Sequence, residues 1–132
     1  MSQGGTLMLP EHNDSLLELC RPVRRILARV GDKWSVMIVM ALKGGPRRFN
    51  DIKRAIGTIS QRMLTLTLKS MERDGSVKRT VYPTKPPRVD YELTALGHSL
   101  REPVERLSLW AIEHEAAITK AQSRFDALDP QG

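Results

Sequence analysis

The chain has 132 residues, 40% of them hydrophobic, which suits one domain with a modest core and not a deep enzymatic cleft between lobes. No stretch approaches the roughly 18 consecutive apolar residues of a membrane span, and the opening MSQGGTLMLPEHND has neither the basic nor the apolar segment of a signal peptide, so the expected location is the cytoplasm. The formal charge of +6 conceals a division: residues 21–88 hold 17 Lys and Arg against 4 Asp and Glu, a net of +13, while the rest holds 4 against 11, a net of −7.

A basic middle between acidic ends points to a polyanion-facing surface. A protein-interaction module without a polyanion partner would leave that self-repulsion unexplained. The single cysteine, Cys20, excludes an intrachain disulfide and a cysteine-based metal cage, and His12, His98 and His114 show no metal-ligand spacing. No cofactor or metal is expected. The chain also lacks a glycine-rich phosphate loop and a recognisable Ser, His and Asp set, which argues against an enzyme.

Residues 1–14 mix Gly, Pro, Asn and polar residues without a period and are expected to form a disordered tail. From Leu16 to Val30 the apolar positions Leu16, Leu19, Val23, Ile26, Leu27 and Val30 recur at helical spacing. Asp14 or Ser15 caps this helix, Pro22 interrupts or restarts it and Gly31 ends it. Asp32 then caps KWSVMIVMALK, a helix apolar on most sides and therefore central to the core, stopped by Gly44-Gly45-Pro46. Trp34 and Phe49 read as core anchors.

A short helix follows Phe49, with Asn50 as cap, Asp51 in the first turn and Ile52, Ala55 and Ile56 inward. Gly57 breaks it, and Ser60 caps the next helix, 61–74, which Gly75 closes. On that helix Leu64, Leu68 and Met71 form one stripe, while Arg62, Leu66, Lys69 and Arg73, with Thr65 beside them, form the other. No acid occurs between Asp51 and Glu72, so the outer stripe faces a negative partner or simply solvent. Two short helices joined by a tight glycine-containing turn make a helix-turn-helix pattern.

SVKRTVYP and RVDYELT, separated by TKPP, read as a two-stranded hairpin, a wing. Thr94 then caps a last long helix carrying Leu96, Leu100, Val104, Leu107, Trp110 or Ala111, Ile112 and Ile118, with Pro103 kinking it or setting its length. That stripe has no further partner in the chain and requires another subunit. The last residues, 126–132, are expected to fray, leaving a folded unit of 15–125. The fold class is α+β, mainly α: a winged helix-turn-helix with a two-stranded wing and terminal helices available for dimerisation.

Across residues 22–112 the sequence closely resembles the HxlR-type winged helix-turn-helix transcription regulators, a branch near the MarR regulators. The resemblance rests on Gly31, Lys33 and Trp34, on Arg48-Phe49, on ISQRML at 59–64, on ERDG at 72–75 and on PPRVDYELTALG at 86–97. It implies a homodimer joined through its first and last helices, for which Leu16, Leu19, Val104, Leu107, Ala111 and Ile118 are the candidate contacts. It further implies a roughly palindromic operator in double-stranded DNA, with helix 61–74 in each major groove, and a repressor more than an activator.

Ser60, Gln61, Arg62, Thr65 and Leu66 are then the groove-facing candidates: Arg62 for guanine, Gln61 for adenine, Leu66 for a thymine methyl, Ser60 for a phosphate as well as the cap. Leu66 stands where the family pattern has a polar residue, so a place in the subdomain core is its alternative. Arg48, Lys53, Arg54 and Lys69 are backbone-clamp candidates, and Lys85 and Arg88 at the wing tip can meet phosphate or the minor groove. Several regulators of the family sense oxidants or electrophiles through a cysteine directly before a proline. Here the order is Cys20, Arg21, Pro22, so Cys20 sits one residue, a 100° helical rotation, early. Arg21, Arg24 and Arg25 beside it favour reactivity, and an inert thiol packed beside the first helix is the alternative. The rival to the whole reading is a basic nucleic-acid-binding module without sequence preference.

Overall fold

A computed structural model describes residues 13–129, with side chains of the first helix from residue 18 onward. His12 and the expected tail up to residue 12 lie outside the described residues. Helix α1, Asn13–Val30, already includes Asn13 and Asp14 and runs through Pro22 without a break. Pro22 cannot donate to the Glu18 carbonyl, but both residues are exposed, so water can satisfy that carbonyl and the helix continues. Gly31 closes α1 by donating to Leu27 O at 2.7 Å.

Asp32 caps α2, Lys33–Leu42, its Oδ1 accepting from Trp34 N at 2.8 Å and Ser35 N at 3.2 Å. Ile38, Val39 and Leu42 of this helix are fully buried, with Trp34 and Phe49 packed against them as partly buried anchors. A two-residue strand β1, Arg47–Arg48, precedes α3, Phe49–Ile56. Arg48 is extended because it pairs with the sheet, so α3 begins at Phe49 and Asn50 falls inside the first turn. Asn50 is therefore not the cap, and no side chain caps α3. The inner face is Phe49, Ile52 and Ile56, whereas Ala55 is exposed beside Arg47, Asp51 and Arg54.

The next helix, α4, spans Gln61–Arg73, and its Leu64, Leu68 and Met71 lie in the core with Ile52 and Ile59. The hairpin strands β2, Val77–Tyr82, and β3, Arg88–Leu93, pair from Val77 with Leu93 to Tyr82 with Arg88. β1 adds to the outer edge of β3, giving a three-stranded antiparallel sheet in the order β1-β3-β2 where two strands were expected.

The expected single last helix is two. Thr94 caps α5, Ala95–Ser99, accepting from Gly97 N at 3.1 Å, and α6, Arg101–Leu128, restarts after Leu100. Pro103 lies in the first turn of α6, where the N–H it lacks would have no partner within the helix, so it marks a helix start and not an interior. The first turns of α6 dock on α2 through buried Val104 and a Lys43–Glu105 ion pair of 3.2 Å. From Leu109 to Asp129 every residue is exposed, and the helix continues through 126–128, where fraying was expected.

Candidate nucleic-acid interface

The N-terminus of α4 is open. Ser60, in extended backbone, accepts from Met63 N at 3.0 Å, leaving the remaining first-turn amides pointing outward with the positive end of the helix dipole. Gln61, Arg62, Thr65, Leu66 and Lys69 are all exposed. Leu66 is 49% exposed and outside the core cluster, which decides its two readings in favour of the outer face. The Thr65 hydroxyl donates to Gln61 O at 2.9 Å, so what it offers outward is a methyl group and acceptor lone pairs.

The far end of α4 is tied to the wing. Gly75 adopts φ of 87°, its N–H bonds Glu72 O at 3.1 Å, and Ser76 N bonds Met71 O at 3.0 Å. This pair of bonds is a Schellman closure, which a left-handed residue makes possible. Thr94 completes the joint by donating from N to Ser76 O at 3.1 Å and from Oγ1 to Gly75 O at 2.5 Å. Gly97 then packs so closely that a Cβ there would sit 2.1 Å from Ser76 O. The ERDG and LTALG motifs thus meet in one knot that fixes the wing against the recognition helix.

The wing face beside α4 carries cations that spacing alone did not reveal. Arg47, Tyr91 and Arg79 form one cross-strand row, and Arg79 and Tyr91 line a hollow with Thr65, Lys69 and the acidic Glu72 of α4. Alternation puts Arg48 on the other sheet face with its partner Asp90, while Arg47 shares the Tyr91 face and lies beside Asp51, Arg54 and Ala55 of α3. Only the strand register could have distinguished them. Lys53 is half-buried, and Arg54 is exposed but ion-paired with Asp51.

Lys85 stands exposed in the loop between the strands. Arg88 is instead held along the hairpin, its guanidinium 4.2 Å from the Tyr82 ring centroid and 3.4 Å from Asp90 Oδ2. It does not project from the wing tip as Lys85 does.

Among the candidate dimer contacts, Leu107, Ala111 and Ile118 are exposed and Leu19 is half-buried. Val104 is 3% exposed within the chain's own core, so it is unavailable to a partner. Its place in the first turn of α6, against α2, accounts for this. The Leu16 side chain lies outside the described residues. Cys20 is exposed on α1. No helix is long and apolar enough to cross a membrane, and among the described residues no group of metal-ligating side chains gathers.

An exposed recognition helix without an acid on its first three turns, braced by a β-wing, defines a winged helix-turn-helix DNA-binding transcription regulator. The chain matches the HxlR-like helix-turn-helix model over residues 29–119 and belongs to that family. It is 39% identical over 110 residues to the HTH-type transcriptional regulator YtfH of Escherichia coli, covering 83% of this chain and 86% of the relative. Among solved structures, the regulator ytfH from Salmonella typhimurium is similar with a TM-score of 0.70 at 35% identity, covering 77% of this chain and 91% of that one. The redox regulator HypR in its reduced form gives 0.69 at 36%, covering 75% and 98%, and diamide-treated YodB from B. subtilis gives 0.63 at 34%, covering 71% and 93%.

Proposed function

We propose that the protein acts in the cytoplasm as a homodimeric repressor on a roughly palindromic operator, inserting α4 of each subunit into the major groove. The observation that carries the reading is the exposed face of Gln61, Arg62, Thr65, Leu66 and Lys69, which holds both base-edge donors and apolar methyl contacts. A module that merely neutralises phosphate needs no such mixture. Lys85, Arg79 and Arg47 then serve the backbone on either side of the helix.

Dimerisation is supported by the part of α6 beyond its docked first turns, where Leu109, Trp110, Ile112, Ile118 and Phe125 stand exposed. A symmetric dimer would place two recognition helices about one turn of DNA, roughly 34 Å, apart. Hydroxyl-radical footprinting tests this, with two protected patches of equal length related by a dyad expected. A single asymmetric patch would reject the dimeric operator.

Exposure of Cys20, together with the redox regulators among the similar structures, favours a second element: oxidant response. With one cysteine in the sequence no disulfide can form within a chain; one between two chains forms when two thiols lose two protons and two electrons to the oxidant. Diamide treatment followed by non-reducing electrophoresis is expected to give a covalent dimer with wild type and none with Cys20→Ser.

A further inference from the structure

The exposed surface of α4 has two unlike sides. Thr65, Lys69 and Glu72 border the hollow that Arg79 and Tyr91 line, so they mark the side of the helix turned to the wing. Met63 and Leu66, a pair at the i, i+3 spacing of helical neighbours, lie on the side turned from the wing and are 39% and 49% exposed. Both are outside the core cluster. Thr65, its hydroxyl turned back to Gln61 O at 2.9 Å, adds a methyl group next to Leu66.

Two neighbouring apolar side chains in water gain from being covered, and what surrounds them defines the cover. Arg62 stands one turn before Leu66 and Lys69 one turn after it, both exposed. The single acid of α4, Glu72, is on the wing side. The complementary partner is therefore apolar at one point and anionic around it. A pyrimidine edge that carries a C5 methyl, set between phosphates in the major groove, has that composition. An apolar protein patch would leave both cations without a counter-charge, and a phosphate alone would leave Leu66 in water.

We propose that Leu66, flanked by Met63, selects a C5-methylated pyrimidine in the operator. The inference rests on the major-groove reading above and extends it to what this contact cannot tell apart. An apolar contact with a methyl group involves no hydrogen bond, so through it thymine and 5-methylcytosine are equivalent, while uracil and unmethylated cytosine are disfavoured. Methylation of a cytosine at this position would then strengthen binding.

The test starts from duplexes enriched out of a random library by the full chain, so the operator need not be known beforehand. Fluorescence anisotropy then compares an enriched duplex made with thymine against the same duplex made with uracil, which differs only in lacking C5 methyl groups. The uracil form is expected to bind about fourfold more weakly for one buried methyl, and about sixteenfold more weakly where both half-sites make the contact. Leu66→Ala, with a melting temperature that shows the fold intact, should bind the two forms alike. At the thymine located by single uracil replacements, 5-methylcytosine should bind more tightly than cytosine by the same factor.

Equal affinity for the thymine and uracil forms, with the preference over a scrambled duplex preserved, would overturn the proposal and leave base reading by α4 standing. A thymine preference that Leu66→Ala keeps in full would overturn it too, because DNA shape or another residue would then be its source. Failure to enrich any sequence would remove base reading itself, and the proposal with it.

Discussion

Gly97→Ala probes the knot that joins the recognition helix to the wing. The added methyl would lie 2.1 Å from the Ser76 carbonyl oxygen and 3.0 and 3.1 Å from Leu93 Cδ2 and Cβ, where 3.4–4 Å is ordinary contact. Relief needs a movement of more than about 1 Å by backbone that also accepts the Thr94 N–H at 3.1 Å, and no flexible side chain can absorb it alone. Overpacking of this severity costs about 3 kcal/mol, and loosening the Thr94 bonds adds about 1 kcal/mol, so the expected loss is about 4 kcal/mol. That is a large share of the roughly 5–15 kcal/mol by which a domain of this kind is stable. The assay is urea unfolding followed by circular dichroism, with Gly44→Ala as control, because a Cβ at Gly44 meets nothing within 4 Å. The control should stay within about 0.5 kcal/mol of wild type. A Gly97→Ala protein that also stays within that margin would refute the packing argument.

Arg62→Ala should weaken binding to the operator more than to random duplex, by about 1–3 kcal/mol if it reads a base edge, and equal losses on both DNAs would remove that role. Lys85→Ala and Arg79→Ala should weaken both DNAs alike and reduce the salt slope by about one, while Arg48→Ala, on the opposite sheet face, should change it less. Ile118→Glu should convert the proposed dimer to a folded monomer in sedimentation, since Ile118 is exposed at 42% and its replacement disturbs no core; a dimer of the variant as stable as that of wild type would move the interface elsewhere, and a monomeric wild type would reject it. Ser60→Ala should cost about 1 kcal/mol of stability by orphaning the Met63 amide, as read from the same urea transition.

Features set by local chemistry were readable from the sequence. Asp32, Ser60 and Thr94 cap the helices they precede, each by a side-chain oxygen on a first-turn amide, and Gly75 closes α4. The alternation of Leu64, Leu68 and Met71 with the exposed positions fixed the outward face of α4. Features set by distant pairing were not readable. β1 is two arginines whose strand character exists only because β3 lies beside them, and that same pairing displaced the start of α3 from the expected cap at Asn50. Val104 and Ile118 share an apolar character, yet one is in the core and the other on the surface, because only the first turns of α6 meet α2. The break at Leu100 was signalled by Pro103, whose effect a continuous apolar period concealed.

The most direct test of a sequence-specific regulator is fluorescence anisotropy with the DNA upstream of its own gene, against a scrambled duplex of equal length, across a salt series. A preference of about a thousandfold or more that persists at physiological salt is predicted. Equal affinity for both duplexes, falling together with salt, would contradict base reading by α4 and leave a basic module that binds the phosphate backbone alone.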